Sequence, residues 1–133
     1  MTSDRIAFVG FGEAAMAFRT GWGANAPAGL RAFDIKTLAA ASNRAMKDRY
    51  AAYGVAGAES LAEALKGATV VFSLVTADQA LVAARQAEEV LPKGLVWLDC
   101  NSCSPDTKRA AAEAIEGAGA PMSMRSEEHT SEL

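Results

Sequence analysis

The sequence predicts an α/β domain, a doubly wound parallel sheet with helices on both faces. Three observations carry that expectation. Short apolar runs alternate with longer helical stretches five times along the chain, and helical crossovers of that kind join parallel strands. The run Thr69 to Val75 is rich in β-branched residues and bounded by Gly67, as a buried strand requires. A glycine turn, Gly10-Phe11-Gly12, stands directly between the first apolar run and the first helix. The length of 133 residues is that of one domain, large enough to bury roughly two-thirds of its unfolded surface.

Taken in order, Ile6 to Val9 is a compact apolar run ending at Gly10 and reads as a buried strand. Ala15, Phe18 and Trp22 follow at the spacing of one helix face. Leu30 to Phe33 is a second, weaker strand that ends at Asp34, and an Ala-rich stretch with Arg and Lys predicts a helix over about Thr37 to Tyr53. Val55 to Ala56 is a short third strand. Ser60-Leu-Ala-Glu63 fits a capping box, in which serine and glutamate satisfy the free N–H groups of a helix start. After the Thr69–Val75 strand, Thr76-Ala-Asp-Gln79 offers a second box, opening a helix to about Leu91. Pro92-Lys-Gly94 breaks the chain. Leu95 to Leu98 returns as a strand closing at Asp99, and Ser104 before Pro105 is an N-cap followed by proline at the first helical position. Ala111, Ala114, Ile115 and Ala118 form that helix's apolar face. Only Pro121 to Met124 remain for a sixth strand, so a complete final strand is not expected.

Composition narrows the function. Net charge is −3 with interspersed signs, which leaves no basic stripe for nucleic-acid phosphates. No apolar run approaches the roughly 18 residues of a membrane span, and the N-terminus lacks a signal peptide's layout. Two cysteines are too few for a disulfide scaffold, so a reducing cytoplasm is the expected compartment.

The glycine turn carries the chemistry. Gly10-Phe11-Gly12-Glu13-Ala14-Ala15 has the spacing G-x-G-x-x-A, the alanine form of the dinucleotide fingerprint. Gly10 permits the tight turn, Gly12 lets a pyrophosphate approach the backbone, and Ala15 lets the helix pack against the strand. The diphosphate would rest on the free N–H groups and positive end of that helix, with the Glu13 side chain turned away. Asp34 ends the second strand 22 residues beyond Gly12, where a carboxylate accepts from the adenosine ribose. A glycine turn inside any βα unit and a solvated helix cap are the alternatives for the two features; their joint register favours dinucleotide binding. The carboxylate repels a 2′-phosphate, which favours NAD, while Arg31 and Lys36 are near enough in sequence to soften that repulsion and keep NADP open.

With these residues placed, the chain resembles the NAD-binding domain of the β-hydroxyacid dehydrogenases, which include 6-phosphogluconate and 3-hydroxyisobutyrate dehydrogenases. The likeness is carried by IAFVGFGEAA, VVFSLVTADQAL and WLDCNSCSPDTKRAAAEAIEGAGA, over about residues 5 to 120. The last is the most specific, because the family places an Asp-x-Ser-Thr-x-x-Pro-like motif after its fifth strand, here Asp99-Cys-Asn101-Ser102-Cys-Ser104-Pro105. The resemblance implies an oxidoreductase transferring hydride between NAD(P) and a small hydroxyacid or related substrate. It adds Ile35 and Lys36 beside the ribose, Leu74, Val75 and Thr76 near the nicotinamide half, and Asn101 and Ser102 where the nicotinamide ribose meets the substrate. Asn101 stands where serine is more usual, and its extra length puts the usual substrate geometry in question. Thr76 as a helix N-cap and Asn101 as a turn-former are the structural alternatives. The family's general acid/base lysine lies in a following helical domain, which also forms the usual homo-oligomer interface, and neither has a matching position here. No catalytic residue is therefore assigned, and the chain itself is expected to be inactive. Lys108, a tempting substitute, is expected on the exposed side of the last helix with Arg109.

Rival readings are a thiol–disulfide oxidoreductase, from Cys100-Asn-Ser-Cys103 at a helix N-terminus, and a non-catalytic nucleotide sensor. The cysteine pair follows five strands and a full dinucleotide signature, and small packing residues explain it. One pair supplies only half of a zinc site, so no metal is expected. Neither Tyr50 nor Tyr53 is followed four residues later by lysine, which removes a short-chain dehydrogenase pairing. Residues 1–124 are read as the dinucleotide-binding domain. Residues 125–133, RSEEHTSEL, resemble a translated sequencing adapter and are expected to be a disordered tail; its His129, the one histidine, is assigned to no site.

Overall fold

The computed structural model describes residues 5–102 and 104–124. Strand β1 (Ile6–Val9) forms from the first apolar run, and all four residues are buried, as a central strand covered on both faces demands. Helix α1 (Glu13–Trp22) follows, then β2 (Arg31–Phe33), α2 (Asn43–Ala52), a two-residue β3 (Ala56–Gly57), α3 (Leu61–Leu65), β4 (Val70–Ser73), α4 (Ala77–Ala87), β5 (Val96–Asp99), α5 (Pro105–Gly117) and β6 (Met122–Met124). The expected short last strand is three residues, paired parallel to β5.

The six strands lie in the order β3-β2-β1-β4-β5-β6, and every neighbouring pair is parallel. This is the doubly wound Rossmann order. The register decides where a ligand can sit. Phe33 aligns with Val9, Val9 with Ser73, and Ser73 with Asp99, so the segments leaving β2, β1, β4 and β5 emerge along one edge.

Two cores flank the sheet. On one face Trp97, Val71 and Ala7 pack with Ala84, Ala87, Ala111 and Ile115; the alanines let α4 and α5 approach closely. On the other, Phe8, Phe11 and Ala15 pack with Met46 and Tyr50. Phe8 and Val71 are both fully buried, each contributing roughly 1.5–3 kcal/mol of transfer free energy.

Several elements depart from the sequence expectation. The helix predicted over Thr37 to Tyr53 is divided: residues Ile35–Leu38 form a 3₁₀ turn, and α2 begins only at Asn43. The Ser42 hydroxyl and Asn43 amide donate to the carbonyls of Lys36 and Thr37, diverting acceptors a continuous helix would need. Helix α4 stops at Ala87 rather than about Leu91, where Glu88 and Glu89 oppose the negative end of the helix dipole. Strand β3 is shifted one residue later than expected, to Ala56–Gly57. Ser60 caps α3 by accepting from Glu63 N–H at 3.1 Å, although the Glu63 carboxylate reaches back to Glu59 N–H, not to that of Ser60. The second capping box does not form. Gln79 N–H reaches the Thr76 carbonyl at 2.9 Å, while hydrogen bonds from the Thr76 and Gln79 side chains hold the exposed Asp78 carboxyl below its ordinary pKa. Ser104 does cap α5, accepting from Thr107 N–H at 3.2 Å, with Pro105 opening the helix.

Candidate functional site

The loop after β1 is shaped by what would collide with it. Gly10 has φ +91°, and a Cβ there would lie 2.4 Å from the Leu74 carbonyl oxygen. Only glycine fits both the dihedral and the approach. Its N–H donates to the Phe33 carbonyl at 2.8 Å, tying the loop to β2. At Gly12 the situation is the reverse: an added Cβ would meet nothing within 4 Å. Glycine is therefore not required there by the protein's own packing, so the space beside Gly12 is space for something else. Gly12 opens α1, which no side chain caps, leaving its first N–H groups without intrahelical acceptors. Ala15 is fully buried against Phe8 and Phe11, while Glu13 and Ala14 are exposed.

Asp34 stands at the lip of the same opening, and one carboxylate oxygen accepts from Phe11 N–H at 2.8 Å, the other from Lys36 N–H at 2.9 Å. A carboxylate has about four lone-pair sites, so roughly half its accepting capacity is left. The main-chain N–H of Asp34 donates to the Tyr50 hydroxyl at 2.9 Å, and that hydroxyl pairs with Thr37 Oγ1 at 2.8 Å. Burial pushes the Tyr50 pKa up, against the opposing effect of these hydrogen bonds. The aspartate is thus a 3₁₀ cap and a tether of the glycine loop at once.

The opening is a cleft of about 220 Å³ lined from β1 by Gly10 and Gly12, from β2 by Asp34, Ile35 and Lys36, and from β4 by Leu74, Val75 and Thr76. The far wall was not foreseen: Leu61 of α3 and Gln79, Ala83 and Gln86 of α4. The last three share one helix stripe at i, i+4 and i+7, a spacing visible in the sequence once α4 is known to face the cleft. Arg49 was also missed. Its guanidinium donates to the Phe11 carbonyl at 2.9 Å, which places a cation behind the glycine loop.

Three expectations change. Arg31 is not near the cleft: its guanidinium donates to the carbonyls of Glu63 and Lys66 at the end of α3, because β2 directs residue 31 to the opposite edge from Asp34. Lys108 is not solvated. It is 3% exposed, and its ammonium lies 3.1 Å from Asp99 Oδ1. Lys108, Ala111 and Ile115 occupy one stripe at i, i+3 and i+7, so the lysine belongs to the buried face of α5. Asn101 is also buried and is not part of the cleft wall. Its amide oxygen accepts from Val75 N–H at 2.7 Å and its amide nitrogen donates to Ser73 Oγ at 3.0 Å; this is where its length beyond serine goes. Ser102, next along, is exposed. Cys100 is half-buried and Cys103 lies outside the described residues, as do residues 125–133.

Among the described residues no group of three or more His, Cys, Asp or Glu could hold a metal ion, and no helix is long and apolar enough to cross a membrane.

The family model described as the NAD binding domain of 6-phosphogluconate dehydrogenase matches residues 5–123. Among solved structures, a conserved hypothetical protein from Sinorhizobium meliloti 1021 is similar at TM-score 0.84 and 36% identity, over 91% of this chain and 40% of that one. The 3-hydroxyisobutyrate dehydrogenase of Mycobacterium tuberculosis shares the fold at TM-score 0.73 and 22% identity, over 91% of this chain and 39% of that one. An imine reductase from Bacillus cereus does so at 0.73 and 19%, over 92% and 40%. The chain thus spans about 40% of the length of these three structures. No curated protein matches it.

Proposed function

The chain belongs to the family of the NAD-binding domain of 6-phosphogluconate dehydrogenase, and from that premise we propose that its cleft holds NAD for hydride transfer to or from a small hydroxyacid or related substrate. One observation supports the reading above the others: the open space at Gly12, where the backbone alone faces a cleft at the head of an uncapped helix. A diphosphate fits that site through charge and through the free N–H groups of Gly12 to Ala15. The nicotinamide supplies the hydride acceptor or donor; this chain's own residues bind and orient it.

In this reading Asp34 accepts from the adenosine ribose with the lone pairs that Phe11 and Lys36 leave free. The carboxylate would repel a 2′-phosphate. With Arg31 turned to the far edge of the sheet and Arg49 engaged with the Phe11 carbonyl, Lys36 is the cation that lines the cleft with Asp34. NAD is accordingly the proposed cofactor. Leu74, Val75 and Thr76 form the wall toward the nicotinamide, and Ser102, exposed beyond β5, is the polar side chain proposed to meet substrate. Asn101 contributes by holding Val75. The proton-transfer group is proposed to come from the part of the relatives that this chain does not span, with residues 1–124 acting as the nucleotide-binding domain of the whole.

Titration with NADH by calorimetry tests the proposal. Gly12→Val should weaken binding by at least about 100-fold, equivalent to roughly 2.7 kcal/mol, while stability changes by no more than about 1 kcal/mol, as for an unfavourable N-cap residue. Unaltered affinity in a folded Gly12→Val protein would remove the loop from the phosphates.

A further inference from the structure

Of the five buried polar side chains in the described structure, four cluster at the ends of β4 and β5: Ser73, Asp99, Asn101 and Lys108. They form one chain of contacts. The Lys108 ammonium and the Asn101 main-chain N–H share a single oxygen, Asp99 Oδ1, at 3.1 and 2.9 Å. The Asn101 side chain then bridges Ser73 Oγ and Val75 N–H. The sheet ladder itself ends one step earlier, where Cys100 N–H donates to the Ser73 carbonyl at 3.1 Å. Beyond that point a side-chain amide replaces the missing strand and satisfies the next N–H of the β4 segment.

Stability is a poor explanation for this arrangement. A buried ion pair rarely outperforms apolar packing of equal volume, because two charges must be desolvated. Lys108 also sits in the second turn of α5, where its side chain leans toward the helix N-terminus and its charge opposes the dipole. What the pair does achieve is geometric. It fixes the carboxylate that fixes Asn101, and Asn101 fixes the segment Leu74 to Thr76 that walls the cleft.

We propose that Lys108 and Asp99 are positioning residues for the cofactor cleft, acting through Asn101 on the main chain at Val75. The inference deepens the NAD-binding reading and rests on it for the consequence in affinity, but the link from Lys108 to Val75 stands without any nucleotide.

The experiment uses the 133-residue chain and the double variant Asp99→Asn/Lys108→Met, which removes both charges together and leaves no uncompensated ion. Amide hydrogen exchange is followed by NMR without ligand, and NADH affinity by calorimetry. The expected result is a loss of protection at Val75 N–H of at least tenfold, with the amides of β1 unchanged, and a fall in NADH affinity of about tenfold. Lys108→Arg, which keeps the pair, should restore both. Adding Asn101→Ala to the double variant should leave Val75 exchange no faster, since both changes act through one contact. Protection lost equally across the sheet would show a merely structural pair and overturn the proposal, as would unchanged Val75 exchange. Should the double variant fail to fold, Lys108→Met alone decides: Val75 protection must fall with the β1 amides unchanged while Lys108→Arg retains it, and unchanged Val75 exchange in Lys108→Met overturns the proposal. If Val75 responds as expected but the parent chain binds no NADH, the positioning link survives and the cofactor reading fails.

Discussion

Asp34 and Asp99 close two strands of the same sheet with the same local device and opposite outcomes. Each accepts, through one carboxylate oxygen, the N–H of the residue two positions on, Lys36 for Asp34 and Asn101 for Asp99, both at 2.9 Å. The second partner separates them. Asp34 takes a main-chain N–H from the glycine loop and remains at the lip of the cleft. Asp99 takes the Lys108 ammonium and is 1% exposed. A carboxylate given a neutral partner and an open side keeps capacity for a ligand; one given a full counter-charge beneath a helix becomes scaffold. The same residue type at a strand's end, one register step apart in the sheet, is assigned its role by what reaches it from elsewhere in the chain.

The contrast predicts unequal responses to one substitution. Asp99→Ala strands a buried ammonium and should destabilise the fold by about 3–5 kcal/mol. Asp34→Ala removes two N–H acceptors in a half-buried place and should lower stability by only about 1–2 kcal/mol, while weakening NADH and narrowing the gap between NADH and NADPH. Urea denaturation of the two variants side by side, with nucleotide titration of the second, is the measurement. Equal destabilisation would mean that Asp34 is as structural as Asp99, and an unchanged nucleotide preference would take Asp34 off the ribose.

The same contrast explains what could be read from the sequence. Gly10, Gly12, Ala15 and Asp34 are legible because their tasks are local or set by a fixed strand-to-strand spacing: a turn, an open backbone, a close helix, a carboxylate one strand along. The alternation of runs was enough for the parallel sheet. Lys108 is legible only by position: its charge points to solvent, but the stripe it shares with Ala111 and Ile115 puts it on the buried face of α5. Asn101 could not be resolved at all from sequence, since its partners Ser73 and Val75 are brought near only by the register of β4 with β5. The capping box at Thr76 failed for a related reason: the threonine side chain is engaged with Asp78, a competition that spacing alone does not rank.

A smaller effect sharpens the comparison at its exposed end. Residue 34 is held from behind by Tyr50, whose hydroxyl receives the Asp34 N–H and pairs with Thr37; nothing of that kind is seen behind Asp99 among the described residues. Tyr50→Phe should remove about 1 kcal/mol at neutral pH, where the hydroxyl is protonated in folded and unfolded chains alike. Because burial raises the Tyr50 pKa in the folded protein, ionisation favours the unfolded chain. The parent's stability from this group is therefore intact below about pH 10, the ordinary tyrosine value, and is lost as pH rises from there through the raised folded value. The phenylalanine variant lacks that loss. Urea midpoints of parent and variant should converge between about pH 8 and about pH 11. A constant difference over that range would mean that Tyr50 ionises as easily folded as unfolded, and that the floor under Asp34 is open to water.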